Sequence, residues 1–310
     1  MKKKHILLLI LLAAALTVGL CGCSKKPVVG VAWRSNQESE SFVATCEAIK
    51  AAGGTPVVIP QVMSADLDYE DGMLEGATDG DGVLTPEAVR LVRSNTWQGS
   101  NAEEVMKGIN AIVFPGGEDI CPTLYYDPQP TETAEGYSAE RDVSDFLLMS
   151  YCLEKDIPIL AICRGMQMLS VVSGADMIQD IPSYMESKGK SKVHVHREEP
   201  EDPDDPRDFV FHDVSVTDKD SLLYSLIGES TVRNAPSWHH QAVKNVEGTR
   251  LKVTAVTDTA GTDMIEAVER PDKSFVLGLQ YHPEIAVVRS LDDSSIVYFK
   301  AIVDKARQAE

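Results

Sequence analysis

Cys163 directly follows the apolar run Pro158-Ile159-Leu160-Ala161-Ile162 and precedes Arg164-Gly165-Met166-Gln167. The run predicts a buried strand, and Met168, Leu169 and Val172 continue it as a helix. A strand that turns into a helix through small-x-Cys-x-Gly has the form of a nucleophile elbow, with Ala161 and Gly165 as the small flanks that let the two elements approach. At a helix N-terminus, free N–H groups and the positive end of the dipole stabilise a thiolate. Alone, Cys163 reads equally as a buried structural thiol. A thiolate nucleophile needs a base, and the base needs an orienting group on its far nitrogen. His282 and Glu284 follow another apolar run, Phe275 to Leu279, and their spacing of two puts both on one side of extended backbone. Cys163, His282 and Glu284 thus supply nucleophile, base and orienter. A thioester route passes through an oxyanion that needs two preorganised donors. One falls at the backbone N–H of Arg164, and the other at Gly116 or Gly117, where glycine lets the backbone come close to a ligand.

These residues need a scaffold. Val28 to Ala32 predicts a strand, Glu38 to Ala52 a helix ending at Gly53-Gly54, Pro56 to Pro60 a second strand and Ile109 to Phe114 a third. Strand, helix and strand at this spacing indicate βαβ units and a parallel sheet. A helix over Phe146 to Leu153 feeds the Cys163 strand. Strands follow at Phe209 to Val216, Lys252 to Val256, Met264 to Val268 and Phe275 to Leu279, several of them antiparallel, before a closing helix over Ser294 to Gln308. Two acidic segments interrupt this plan, Met63 to Ala102 and Glu198 to Asp208. Their composition predicts solvated surface loops, the first with a helical piece near Pro86 to Val92.

The chain opens with Lys2, Lys3 and Lys4, then an uncharged apolar stretch from Ile6 to Leu20. That stretch falls short of the ~20 residues of a comfortable membrane span, so it reads as an export signal. Leu20-Cys21-Gly22-Cys23 resembles a bacterial lipobox, which implies cleavage before Cys23 and lipidation there. The organisation expected is a signal peptide over 1–22, a lipidated tether over 23–27 and one α/β domain over 28–310. The product would be lipid-anchored on the extracytoplasmic face of a bacterial cell membrane. The formal charge of the 310-residue chain is −19, which becomes −22 once Lys2, Lys3 and Lys4 are removed. Such an excess argues against nucleic acid and against adsorption to anionic lipid heads, leaving the N-terminal lipid as the only membrane contact expected. Cys46, Cys121 and Cys152 show no zinc-site or disulfide-framework spacing, and a bridge among them after export stays open.

Phe114-Pro115-Gly116-Gly117, Ala161 to Gln167 and Tyr281-His282-Pro283-Glu284 resemble the three core motifs of class I glutamine amidotransferase domains. More narrowly, Gly116 to Pro122 with Tyr125, Arg141-Asp142, and Ser237-Trp238-His239-His240-Gln241 resemble the γ-glutamyl-γ-aminobutyrate hydrolase family, peptidase class C26. The resemblance implies a flavodoxin-like α/β fold, with a mostly parallel central sheet flanked by helices and an added antiparallel part. It also implies hydrolysis of a γ-glutamyl amide by the Cys163, His282 and Glu284 triad, with water as acceptor and no cofactor. Gln167 and His239 would then contact the small γ-glutamyl substrate. The chain departs from the family at Pro236, where Asn is usual, and in the length of its 63–102 insertion.

His194 and His196 make half a metal site, but no carboxylate or third ligand is recognisably spaced with them, so no metal is expected. Arg141 and Asp142 either bracket the substrate or pair structurally, and the Arg164 side chain is expected in solvent. Besides a triad-bearing peptidase of broader specificity, two other readings remain. A glutaminase subunit would show activity that rises only with a partner protein. A binding lipoprotein of the same fold would hold ligand without releasing amine. The sequence specifies neither the oligomeric state nor the leaving amine.

Overall fold

A computed structural model of the chain describes residues 26–95, 97–125, 136–191, 195–198 and 208–308. The export signal, Cys23, His194 and most of the 198–208 segment lie outside the described residues. No described helix is long and apolar enough to cross a membrane.

The first half of the chain runs β1 (Val28–Val31), α1 (Glu40–Ala51), β2 (Thr55–Val58), a hairpin of β3 (Asp68–Glu70) and β4 (Met73–Glu75), α2 (Pro86–Asn95), α3 (Ala102–Val105), β5 (Ile112–Phe114), α4 (Ala139–Glu154), β6 (Ile159–Ile162) and α5 (Arg164–Val172). The second half runs β7 (Asp176–Ile178), α6 (Ile181–Ser187), β8 (Val210–Val216), α7 (Leu222–Ile227), β9 (Thr231–Ser237), β10 (Ala242–Asn245), β11 (Lys252–Asp258), β12 (Asp263–Glu269), β13 (Val276–Leu279), α8 (Pro283–Val288) and α9 (Ile296–Gln308). Nine strands form one sheet in the order β2-β1-β5-β6-β13-β12-β11-β8-β9. The run from β2 to β13 is parallel, and β12, β11, β8 and β9 extend it in antiparallel fashion. This is the α/β architecture that the resemblance implies.

The central strands β5, β6 and β13 are buried at every residue, as strands covered on both faces must be. Alternate residues go to opposite cores. Ile159 and Ala161 pack with Val143 and Leu147 of α4 and Met166 of α5, whereas Leu160 and Ile162 pack with Ile49 of α1 and Phe299 and Ile302 of α9. Register then fixes the site. Phe114 of β5 pairs with Ala161 of β6, and Ile162 of β6 pairs with Leu279 of β13. The chain therefore leaves three adjacent parallel strands at one edge, just before Pro115-Gly116-Gly117, Cys163 and His282. Crevices at these carboxyl ends are where open α/β sheets bind ligands.

The 63–102 segment corrects an expectation. It carries the β3–β4 hairpin and α2, and Val83, Leu84, Ala88, Val89 and Val92 are buried in the same core as α4. The helical piece expected near Pro86 to Val92 is α2, but the segment packs into the core instead of lying in solvent. No two described cysteines are joined, and Cys46, Cys121, Cys152 and Cys163 are free thiols.

Leu84 is fully buried. Leu84→Ala is expected to lower the unfolding free energy by about 2–5 kcal/mol in urea titrations. A change near zero would return this segment to the status of a solvated loop.

Candidate active site

Cys163 is the N-cap of α5 and holds φ 50, ψ −108, a conformation L-residues rarely adopt. Its N–H is tied to Leu279 O of β13 at 2.7 Å, and Gln167 N–H donates to its carbonyl at 3.1 Å. Gly165 completes the turn: a Cβ there would stand 2.3 Å from Phe114 O, so only glycine lets α5 leave against β5. The side chain is thereby placed at the helix N-terminus, as the elbow pattern predicts. The first N–H groups of a helix have no intrahelical partner, and that of Arg164 is the first in α5.

His282 and Glu284 are brought together differently from expectation. Extended backbone stops at Leu279; His282 is the N-cap of α8, Pro283 takes its first position, and Glu284 lies in its first turn. This turn, not strand alternation, sets His282 Nδ1 2.6 Å from Glu284 Oε1. Both are buried. Burial alone would lower the basicity of His282, but Glu284 and Cys163 outweigh it and push its pKa up to about 10. With Nδ1 engaged by the carboxylate, Nε2 is the nitrogen left to serve as base.

A cavity of about 320 Å³ opens over these groups. Cys163, His282 and Gly117 form its floor, Arg34 and Glu118 one side, and Phe209 and Trp238 another. The Phe209 ring meets the His282 ring edge-on at 5.1 Å. Gly116 is equally constrained, because a Cβ there would stand 2.8 Å from His282 Cε1. Arg141 pins the glycine loop from beneath, its Nη2 donating to Pro115 O at 2.9 Å and Gly116 O at 3.0 Å. In a trans peptide the N–H points opposite the C=O, so holding the Gly116 carbonyl turns the Gly117 N–H away from Arg141.

Two expectations about arginines are settled by these contacts. The Arg164 side chain does not reach solvent; it is buried, paired with Asp142 and Asp145 of α4. Arg141 and Asp142 pair structurally, each with other residues: Arg141 bonds Glu118, and Asp142 accepts from Arg164 and from Cys121 N–H. Glu118 bridges upward, taking Arg141 on one oxygen and Arg34 on the other at 2.6 Å each. Burial would raise its pKa, but Arg141 and Arg34 hold it to about 2.

Gln167 is buried one turn past Cys163 and donates to Gln241 O at 3.2 Å and Gln280 Oε1 at 3.4 Å. Gln280, to which the sequence pattern assigned no role, donates to Cys163 Sγ at 3.6 Å. His239 is buried behind the cavity rather than in its lining, with Nε2 3.6 Å from Glu266 Oε1. The expectation that His196 lacks ligand-type neighbours is overturned: His212, His239 and Glu266 surround it. His240 ties the region together, its Nε2 3.1 Å from Asp119 and its Nδ1 3.3 Å from Asp180. Burial opposes its charge, but the two carboxylates push its pKa up to about 9. Arg34 went unrecognised in the sequence; its one signal was a place just past the end of β1.

Residues 85–284, more than half of the chain, match the peptidase C26 family. Over 264 residues the chain is 27% identical to gamma-glutamyl-gamma-aminobutyrate hydrolase PuuD of Escherichia coli strain K12, covering 83% of this chain and 85% of that protein. It is 33% identical over 191 residues to protein NtpR of Enterococcus hirae, covering 62% and 73%. Among solved structures, the glutaminase domain of Trypanosoma brucei CTPS with bound acivicin matches with a TM-score of 0.52 at 16% identity, covering 90% of this chain and 94% of that one, a likeness of fold alone. The chain belongs to the peptidase C26 family of glutamine amidotransferase-like hydrolases.

Proposed function

We propose that this protein is an exported, lipid-anchored cysteine hydrolase that cleaves γ-glutamyl amide bonds through a thioester. The observation that carries the reading is a cysteine strained at a helix N-terminus beside a histidine whose far nitrogen is bonded to a buried glutamate. The cavity supports the substrate class. Arg34, Glu118 and Glu40 present both signs of charge, as a zwitterionic glutamyl head requires, while Phe209 and Trp238 offer an apolar wall. The export signal and lipidation at Cys23 rest on the sequence pattern, and they place the substrate outside the cytoplasm.

In the first half-reaction the Cys163 thiolate attacks the γ-carbonyl carbon. The C–S bond forms and the carbonyl electrons move to oxygen, which accepts hydrogen bonds from Arg164 N–H and a Gly116–Gly117 N–H. The C–N bond then breaks as His282 delivers its proton to the departing amine. In the second half-reaction His282 takes a proton from water as that water attacks the thioester. The C–S bond breaks, glutamate leaves, and the Cys163 thiolate is restored beside the protonated His282. Glu284 holds the imidazole in the tautomer that both transfers need.

Full-length protein in detergent, incubated with a panel of γ-glutamyl amides, is expected to release glutamate, and Cys163→Ala to release none. A folded wild-type chain silent across the panel would sink the γ-glutamyl reading. The pH profile offers a second test. Because Glu284 raises the His282 pKa, the imidazolium survives to about pH 10 and is lost above it. Glu284→Gln removes that support, so the alkaline limb of kcat/KM should move down by about one pH unit or more, with kcat reduced roughly 10²–10⁴-fold. An unmoved limb would mean that Glu284 does not orient His282.

A further inference from the structure

Behind the Phe209–Trp238 wall, four side chains from separate segments converge: His196, His212 of β8, His239 after β9, and Glu266 of β12. One ligand-type atom from each lies within 4.8 Å of every other. His196, His239 and Glu266 are at most 3% exposed, and the His212 side chain is 8% exposed.

The far nitrogen of each ring is already engaged. His239 Nδ1 donates to Gln241 O at 2.8 Å, which leaves the Nε2 of the neutral ring with a lone pair. Thr257 gives its hydroxyl hydrogen to Asp213 O, so its oxygen is the acceptor facing His212 Nδ1 at 3.2 Å; His212 Nε2 therefore also carries a lone pair. His196 is held through Nε2 by Thr259 Oγ1 at 2.7 Å. The inward atoms, His196 Nδ1, His212 Nε2, His239 Nε2 and both oxygens of Glu266, have no hydrogen-bond partner among the described residues. Their separations from Glu266 Oε1 are 3.2, 3.8 and 3.6 Å. Two donors each about 2.0–2.1 Å from one tetrahedral ion lie roughly 3.3 Å apart. Lone pairs turned toward a buried carboxylate repel it unless a positive charge stands between them.

We propose that His196, His212, His239 and Glu266 form a closed structural site for a divalent transition metal ion, zinc by its donor set. Three imidazoles and one carboxylate suit zinc, whereas magnesium and calcium take mostly oxygen. Four protein ligands fill a tetrahedral shell and leave no open position, so the ion would act structurally. Threonine and carbonyl groups on the far nitrogens are the outer-shell partners that orient metal-bound histidines. The ion would pin the strands whose neighbours Phe209 and Trp238 wall the cavity. It would also pin β12, whose Glu266 carbonyl accepts Gln280 N–H at 2.8 Å.

The test is metal content of the full-length chain, purified in detergent without a histidine tag or chelator and measured by atomic emission. About one zinc per chain is expected in wild type and in Cys163→Ser, falling at least about tenfold in His212→Ala and Glu266→Gln. The metal-stripped chain should take up Co²⁺ with the visible spectrum of a tetrahedral site lacking a thiolate band. Its melting temperature should rise with added Zn²⁺. If the variants fail to fold, the wild-type cobalt spectrum decides. A folded wild type that takes up neither ion overturns the proposal and assigns a proton to the cluster instead. Zinc retained in both variants, or a thiolate band, also overturns it by placing the ion elsewhere.

Discussion

Cys163 is held at φ 50, ψ −108, and a residue so strained costs about 1–3 kcal/mol that the surroundings must supply. Much of the architecture around it can be read as the means of imposing that turn. β6 is clamped between β5 and β13, the Cys163 N–H is fixed to Leu279 O, and α5 starts at once against Phe114 because Gly165 has no Cβ. The strain places Sγ beyond the strand end, beside the first N–H of α5 and within reach of His282.

Beneath the turn lies a buried array of charge that joins the parts of the site. Arg164 leaves the nucleophile helix to pair with Asp142 and Asp145 of α4. Arg141, from the same face of α4, holds the Pro115 and Gly116 carbonyls and reaches Glu118, which carries the array on to Arg34 at the cavity rim. Three guanidinium groups meet three carboxylates, so the charge closes. Even so, the desolvation penalty of such an array can exceed its Coulombic gain, and replacing it by apolar packing is often neutral or stabilising. Its presence here is better explained by orientation. It sets the peptide plane that faces the reacting carbonyl, and it fixes the start of α5 relative to that plane.

The parallel half of the fold and the residues gathered at the ends of its strands were legible because their signals are local. Ile159 to Ile162 is an unbroken apolar run, and Cys163, His282 and Glu284 are chemically unusual at their spacing. The groups that stayed hidden are those whose meaning is set by contact. The sequence cannot show that Arg164 turns inward, because Asp142 and Asp145 lie some twenty residues away and meet it only through packing of α4 on α5. His196, His212, His239 and Glu266 come from four segments that only the antiparallel strands assemble. The 63–102 insertion misled in the other direction: its helical piece was legible, but its many acidic residues pointed to solvent while α2 packs its apolar face into the core. The His282–Glu284 contact was foreseen for a partly mistaken reason, because Pro283 begins a helix where alternation of a strand was assumed.

The departure at Pro236 can be judged on the same physical terms. Proline removes an N–H, which a central strand cannot tolerate, but β9 is the outermost described strand of the sheet, with no strand beyond it among the described residues. Pro236 still pairs in register with Phe211 of β8. What the site takes from this position is a carbonyl: Pro236 O accepts the His282 N–H at 2.8 Å. Any residue supplies that group, so exchanging the usual Asn for Pro leaves the base anchored. The change removes only a polar side chain beside Ser237 and Trp238. The parallel strands therefore carry the chemistry, while β8 and β9, which lead into Phe209 and Trp238, form the wall. Variation in the wall can change what the cavity accepts while Cys163 and His282 stay where the parallel strands put them.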